Sequence, residues 1–509
     1  PLLKECTSEL FEYLPPSIIK NNDLIGYKDA IEQIHFPDNK KLANQARERL
    51  AFDELFLIQL ASLQRKAEWS HETVGHKLKI ENYKLKIENF VVGLPFKLTN
   101  AQNKVIAEIL ADLGRNQPMN RLLEGDVGSG KTVVAAISMY LAYLNGFRSI
   151  IMAPTEILAN QHYETLKSLF EPLGIKLALV TKNSKTARIR GRSFANAQDD
   201  ILVGTHALLN ENVKLENVGL VVIDEQHRFG VSQRAKLKEK GVNPHLLTMT
   251  ATPIPRSIAL TLYGELDLSY LDEMPLGRQR VKTWVVPPEK RIAAYAWIKK
   301  QVKNTLAQAF IICPLIEESE TLTSVRAVTK EYEKLTKQIF PDLRLGLLHG
   351  KIKSKEKGAV LENFRKGKLD LLVATPVVEV GLDIPNATIM MIEAADRFGL
   401  AQLHQLRGRV GRSDQQSYCL LFSEIPDLKR LKALETTYVG HKLAELDLTL
   451  RGPGEVYGTR QHGLPDLRLA SLTDSALISK TGLSAREILN SLSQFSLLKE
   501  KLKKYKMIL

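Results

Sequence analysis

The pattern of apolar and polar positions changes character twice along the chain. Up to about residue 92, apolar residues recur at roughly helical spacing, as at Leu42, Ala46, Leu50, Leu55, Ile58 and Ala61, and no strand pattern interrupts them. From about 93, short apolar runs alternate with helical stretches. The first series of expected strands is Arg121–Leu123, Ser149–Met152, Lys176–Val180, Asp200–Val203, Leu220–Ile223 and Leu246–Met249. A second series follows at Val281–Val286, Gln308–Ile312, Arg344–Leu348, Leu369–Ala374, Thr388–Ile392 and Ser417–Phe422. Such alternation predicts parallel sheets covered by helices, hence an α/β fold with two tandem sheet domains. The tail then returns to helices and loops. The expected division is 1–92, 93–280, 281–430 and 431–509.

Two local features stand apart from this plan. A heptad is written twice, as Lys77-Leu-Lys-Ile-Glu-Asn-Tyr83 and Lys84-Leu-Lys-Ile-Glu-Asn-Phe90. Two heptads are too few for a coiled coil, so a solvated helix or loop is expected there. The stretch Gly191–Asp200 is polar and aperiodic, and reads as an irregular surface loop.

Composition narrows the class. A chain of 509 residues is too long for a single core. Its 44% hydrophobic and 25% charged residues are ordinary for a water-exposed protein. The formal net charge of +14 points to a polyanionic partner, although a generally basic surface would read the same way. Cys6, Cys313 and Cys419 are far apart, which argues against a disulfide framework or zinc ribbon and fits a reducing cytoplasm. No apolar stretch approaches the ~18 residues of a membrane span, so no membrane partner is expected.

The chemistry begins at Gly125-Asp-Val-Gly-Ser-Gly-Lys-Thr132, a full GxxxxGK[ST] phosphate loop between an apolar strand and a helical run. Gly125, Gly128, Ser129 and Gly130 let backbone N–H groups approach phosphates, Lys131 reaches the β- and γ-phosphates, and Thr132 ligates Mg²⁺. Downstream, Asp224-Glu225-Gln226-His227 closes the apolar run that starts at Val218. Adjacent carboxylates at the end of a buried strand are poorly explained by packing, since an unpartnered buried charge is expensive. Asp224 is the expected Mg²⁺ ligand and Glu225 the residue that activates water. Gln226 and His227 are candidates to link the γ-phosphate to neighbouring elements; His227 taken alone is equally compatible with a buried structural histidine. Arg409 and Arg412 lie three apart, so on a helix they would share a face, and they could stabilise developing charge from the second sheet domain. Their other reading is contact with a nucleic-acid backbone. The cofactors expected are ATP and Mg²⁺.

Taken in order, these strings resemble a superfamily 2 helicase with both RecA-like motor domains. Leu98-Thr-Asn-Ala-Gln102 resembles the adenine-reading Q motif, with Gln102 on the base edge and Phe96 stacking nearby. Ala153–Gln161, Val203–His206 and Thr250–Arg256 resemble motifs Ia, Ib and III; Leu348–Gly350 and Ala374–Pro385 resemble the strand-tracking motifs. The resemblance implies nucleic-acid contacts at Thr155, Thr205, His206, His349 and Thr375, nucleotide contacts at Gly381 and Asp383, and coupling through Thr250 and Thr252. The best match within the superfamily is the RecG family, on Asp224–Val231, Arg397–Arg412 and Arg451–Gln461. The last string resembles that family's translocation motif, which implies coupling roles for Arg460 and Gln461 and a C-terminal helical hairpin. The implied activity is ATP-dependent remodelling of branched or double-stranded DNA, at stalled forks and Holliday junctions, by a cytoplasmic monomer. Single-stranded DNA-binding protein is a further candidate partner. The family also carries an N-terminal wedge with an oligonucleotide-binding barrel. The chain opens at Pro1, and residues 1–92 resemble the linker after that wedge, so the wedge is expected outside this sequence. Alternatives are a Mfd-like duplex translocase and a nucleotide-gated DNA-binding scaffold. A PriA-like helicase would need a cysteine-rich zinc module.

Overall fold

The computed structural model describes residues 10–71, 76–181, 199–209, 216–225, 243–255, 258–259, 261, 264–275, 279–314, 321–376, 384, 386–411, 415–451 and 467–506. Described residues up to 71, from 254 to 267 and from 448 onward form one compact unit; those of 76–253 and 268–447 form another. Helices α1 (Pro16–Asn21), α2 (Tyr27–His35) and α3 (Lys40–His71) open the chain, followed by α4 (Lys84–Val92) and α5 (Asn100–Leu113). Then come β1 (Asn120–Gly125), α6 (Lys131–Leu144), β2 (Arg148–Met152), α7 (Glu156–Phe170), β3 (Leu177–Val180), β4 (Ile201–Gly204), β5 (Val218–Asp224), β6 (His245–Thr250) and β7 (Asp267–Leu271). The second sheet takes β8 (Lys282–Val286), α8 (Arg291–Thr305), β9 (Gln308–Ile312), α9 (Thr321–Lys334), β10 (Leu345–Leu348), α10 (Ser354–Arg365), β11 (Leu371–Ala374), β12 (Ala387–Ile392), α11 (Leu400–Arg407) and β13 (Tyr418–Phe422). The chain closes with α12 (Lys429–Thr436), α13 (Gly440–Arg451), α14 (Ser475–Leu489) and α15 (Ser496–Lys506).

The first sheet has the order β3-β4-β2-β5-β6-β1-β7, the second β10-β11-β9-β12-β13-β8. Pairings such as β1 with β6, β2 with β5 and β11 with β9 are parallel. Parallel strands buried on both faces need continuous apolar runs, and β5 is buried at every position from Val218 to Asp224. Each fully buried Val or Leu there adds about 1.5–3 kcal/mol relative to exposure. Register then levels the chemistry: Glu124, one residue before the phosphate loop, stands opposite Thr250, and Asp224 stands opposite Met249. Loops leaving the carboxyl ends of open parallel sheets are where such folds place ligands. β7 was not expected from the sequence. It is short, its burial is partial, and Asp267 and Ser269 break the apolar run that announces the other strands.

The helical unit is built around α3. Phe52, Phe56 and Leu60 pack with Ile488, Leu498 and Leu502 of α14 and α15. Glu54 accepts hydrogen bonds from the backbone N–H groups of Arg468, Leu469 and Ala470 at 3.2, 3.1 and 2.9 Å. Arg65 and Lys66, further along α3, pair with Glu265 and Asp267 at 2.7 and 2.6 Å.

The duplicated heptad corrects an expectation. It is not a solvated pair: Leu78 is 1% exposed, and Ile87 and Phe90 are buried in the core of the first sheet. Phe90 meets the rings of Tyr140 and Phe170 at centroid distances of 4.8 and 5.7 Å. The first copy is irregular until a single 3₁₀ turn at Glu81–Tyr83, whereas the second is helical. Periodicity alone could not reveal this, because the apolar surface that claims the stripe belongs to α6 and α7. Of the Gly191–Asp200 loop, residues 191–198 lie outside the described residues.

Candidate active site

The phosphate loop leaves β1 at Gly125 and enters α6 at Lys131. Gly128 and Gly130 both take positive φ, 81° and 87°, a region that side chains resist. At Gly130 there is a second demand, since a Cβ would sit 2.2 Å from Gln102 Nε2. Gln102 reaches that point from a capping box at the start of α5. Its backbone N–H donates to Thr99 Oγ1 at 3.1 Å, its Oε1 accepts from Thr99 N at 2.9 Å, and its Nε2 donates to Ser129 O at 2.8 Å. Gln102, the candidate for the base edge, therefore braces the phosphate loop. Phe96, the candidate stacking residue, is 48% exposed.

Lys131 donates from Nζ to the carbonyls of Gly125 and Asp126 at 2.6 and 3.1 Å. Burial pulls its pKa down, while the charges of Glu225, Asp224 and Asp126 push the other way. Asp224, 7% exposed at the end of β5, accepts from His162 of α7 at 2.7 Å between Oδ2 and Nε2. Burial alone would raise the Asp224 carboxyl; the His162 hydrogen bond and charge, with Lys131 behind them, hold it below the usual carboxylate range. Its neighbour behaves oppositely. Burial, then the Asp224 charge, pushes the Glu225 carboxyl up, against the pull of Lys131 and Arg409. Two adjacent carboxylates with pKa values driven apart suit a fixed anion beside a proton acceptor. Glu225 also has φ of 55°, the left-handed region, which costs a non-glycine residue on the order of 1–3 kcal/mol.

Arg409, on the turn after α11, is 6% exposed and lines the same cavity as Gly128, Gly130, Lys131, Thr132 and His162, a space of about 690 Å³. The two sheets approach closely here: a Cβ on Gly408 would lie 2.9 Å from Cβ of Val127 in the phosphate loop. Gln405 donates from Nε2 to Thr252 Oγ1 at 2.8 Å, and Thr252 N donates to Thr250 Oγ1 at 3.0 Å. His404 contacts Asp126 at 2.9 Å. Asp126, His162, His404 and Gln405 were all missed in the sequence. The available signal was Asp126 itself, an acid inside a loop built for anions.

The candidate nucleic-acid residues fall on loops at the carboxyl ends of strands. Thr155 caps α7, its Oγ1 accepting from Leu158 N at 3.3 Å. Thr205 Oγ1 accepts from Ala207 N at 3.5 Å, and His206 is exposed. His349 is half-buried after β10, its pKa lowered by burial and by Lys357 and Lys351. Thr375, another of these candidates, is only 2% exposed. Gln226, His227, Gly381, Asp383, Arg412, Arg460 and Gln461 lie outside the described residues.

Residues 99–261 match the DEAD/DEAH box helicase family, and residues 294–414 match the helicase conserved C-terminal domain. Over 476 residues the chain is 44% identical to the ATP-dependent DNA helicase RecG of Bacillus subtilis, covering 92% of this chain and 69% of that relative. The chain belongs to the RecG family. RecG of Synechocystis sp. is 49% identical over 477 residues, 92% of this chain and 56% of the relative. RecG of Thermotoga maritima is 47% identical over 470 residues, 91% and 59% respectively. The chain thus spans between 56% and 69% of these RecG relatives' length. A solved structure of RecG bound to a three-way DNA junction superposes with TM-score 0.78 at 41% identity, over 95% of this chain and 63% of that one. S. cerevisiae Dbp5 bound to RNA and ADP BeF3 matches at TM-score 0.51 and 17% identity, over 70% of this chain and 91% of that one, a likeness of fold alone.

Proposed function

We propose that this RecG-family chain is an ATP-hydrolysing DNA motor that remodels branched DNA, at stalled forks and Holliday junctions, in recombination and repair. The observation that carries the reading is Arg409: a cation from the second sheet domain lines one cavity with Lys131 and Thr132 from the first. Phosphoryl transfer is catalysed chiefly by positioning and charge stabilisation, so a site completed by two domains ties hydrolysis to their closure. Backbone N–H groups of the loop would hold the phosphates, Lys131 the β- and γ-phosphates, and Arg409 the charge that develops on transfer. Glu225, its pKa raised by burial, would accept a proton from the attacking water. Arg412, Gln226, His227, Gly381 and Asp383 are proposed to complete the nucleotide contacts, and Arg460 and Gln461 the coupling to DNA.

The donor set fits Mg²⁺. Thr132 offers a hydroxyl on the cavity wall, and Asp224 an ionised carboxylate with one oxygen fixed by His162. Among the described residues no cluster of three His, Cys, Asp or Glu could hold a metal, so Mg²⁺ here would rest on one or two protein oxygens plus phosphate. Bound there, Mg²⁺ would neutralise charge between the β- and γ-phosphates.

The domain boundaries 1–92, 93–280, 281–430 and 431–509 are part of this proposal, as are action as a monomer and contact with single-stranded DNA-binding protein. Cys313 and Cys419 are free and buried, consistent with a cytoplasmic setting. Among the described residues no helix is long and apolar enough to cross a membrane. The test is phosphate release with and without branched DNA, with Lys131→Ala as control. DNA-stimulated turnover is expected, and undetectable turnover would favour the scaffold reading. Unwinding of a model fork would then separate fork remodelling from Mfd-like duplex translocation.

A further inference from the structure

A carboxylate inside a phosphate loop repels the ligand the loop is built for, so Asp126 requires another explanation. Both of its oxygens are engaged away from the loop. Oδ1 accepts from His404 Nε2 at 2.9 Å, and Oδ2 accepts from the backbone N–H of Gly440 at 3.3 Å. The tautomer follows from the third partner. Arg407 lies 2.8 Å from His404 Nδ1 and has no acceptor, so Nδ1 accepts and the imidazole proton sits on Nε2, facing Asp126. Arg407 is fixed in turn by Leu434 O at 2.7 Å and by the Tyr438 ring, whose centroid is 5.1 Å from its guanidinium. The chain of contacts therefore runs from the phosphate loop through α11 to the end of α12. Its other branch ends on Gly440, the first residue of α13, which leads in sequence to Arg451 and the glycine-rich string ending at Gln461.

Two observations show how closely this junction is built. A Cβ on Gly440 would lie 2.2 Å from Asp126 Oδ1 and 3.0 Å from His404 Nε2, so that position is open only to glycine while the acid is in place. The Lys131 ammonium donates to the Asp126 carbonyl at 3.1 Å. Phosphate in the loop would compete for the same ammonium protons, which gives the peptide carrying the acid a route by which to sense the ligand.

We propose that Asp126 is a positioning residue through which the phosphate loop passes nucleotide occupancy to the second sheet domain, by way of His404, and to the start of α13, by way of Gly440. The inference rests on the motor reading above. Its substance is mechanical coupling: Asp126 touches neither the transferred phosphoryl group nor the attacking water.

The experiment uses the full chain and three readouts: affinity for a fluorescent non-hydrolysable ATP analogue, steady-state ATP turnover on branched DNA, and base pairs translocated per ATP on a triplex-displacement substrate. Asp126→Ala and His404→Ala should each bind nucleotide within about threefold of the parent, yet lose about tenfold or more in turnover or in base pairs per ATP. The double variant should be no worse than the weaker single, because residues acting as one unit are not additive. Gly440→Ala should show the same defect, and adding Asp126→Ala should not deepen it, since the 2.2 Å contact with Oδ1 is then gone and only the 3.0 Å contact with His404 and the 3.1 Å contact with Pro253 remain. Asp126→Asn, which keeps an acceptor for His404 but turns an amide toward the Gly440 N–H, covers the case in which the alanine variant fails to fold. Turnover and coupling within twofold of the parent in Asp126→Ala, additive losses in the double variant, or a loss of nucleotide affinity that accounts for the whole defect would each overturn the proposal. A parent chain without ATP turnover would instead sink the motor reading, which keeps the two failures distinct.

Discussion

His162 holds Asp224 from the second turn of α7, Nε2 to Oδ2 at 2.7 Å, and the same helix is capped at its start by Thr155. A candidate nucleic-acid contact and the partner of the candidate Mg²⁺ ligand thus sit on one 15-residue helix. Removing His162 leaves a buried carboxylate short of a donor, which costs about 1–3 kcal/mol or more for a charged group. For His162→Ala we expect ATP turnover to fall about 10–100-fold, the usual range for groups that orient a metal ligand, with a higher Mg²⁺ concentration at half-maximal rate. Phosphate release titrated against Mg²⁺ measures both. An unchanged Mg²⁺ midpoint with normal turnover would reduce the contact to packing.

Arg409 makes the sharpest prediction at the site. It is 6% exposed, and its charge acts on both Glu225 and Lys131. Arg409→Ala should retain ATP-analogue binding and lose about 10³-fold in hydrolysis, the scale associated with arginine fingers. Arg409→Lys should recover little, because a point charge does not reproduce the planar fork. Single-turnover hydrolysis at saturating ATP is the measurement. Turnover within threefold of the parent in both variants would reassign Arg409 to DNA contact.

What was legible in the sequence follows from range. The phosphate loop, the Asp224–Glu225 pair and strands such as Val218–Asp224 are written in contiguous residues, and local rules recover them. β7 failed because it is a short edge strand beside β1, only partly buried, in which Asp267 and Ser269 break the apolar run. The links Asp126–His404 and Gln405–Thr252 join residues separated by 278 and 153 positions. No periodicity or motif carries that information. Family resemblance could offer Arg409 and Gln102 as candidates, but Gln102 bracing Ser129 needed coordinates.

The helical unit predicts a pH dependence of stability. Arg49 is fully buried between Glu12 and Asp53, at 2.6 and 2.9 Å. Burial pushes the Asp53 carboxyl up from 3.8 to about 6, although Arg49 opposes the shift. The sign follows from proton counting. Between those two values the folded chain holds a proton that the unfolded chain has released, so stability from this group falls as pH rises through the window. Asp53→Asn mimics the protonated form and keeps an acceptor for Arg49 Nε. It should match the parent near pH 4 and exceed it above about pH 6, by up to about 3 kcal/mol from a two-unit shift. Glu12 works in the opposite sense: burial would raise it, but Arg49 and the backbone donors hold it below 4.5, so its contribution is lost on acidification. Melting curves of parent and variant across that range decide the matter, and a lower melting temperature for Asp53→Asn at neutral pH would contradict it.

The duplicated heptad offers a test in which sequence context is nearly constant. Leu78 and Leu85 occupy the same heptad position, yet Leu78 is 1% exposed and Leu85 is 69% exposed. The difference arises because the first copy runs irregularly along α5, with Leu78 N donating to Leu113 O at 3.0 Å, whereas the second is a helix packed on α6. Leu78→Ala should destabilise by about 2–5 kcal/mol, and Leu85→Ala should stay within about 0.5 kcal/mol. Ile87 and Phe90, on the buried side of the second copy, should behave like Leu78, with Phe90→Ala costing about 3–5 kcal/mol through the lost ring contacts. Denaturant midpoints compared at constant slope give the four values. Equal losses at Leu78 and Leu85 would mean that both copies pack alike, and the two conformations assigned to one repeated sequence would have to be withdrawn.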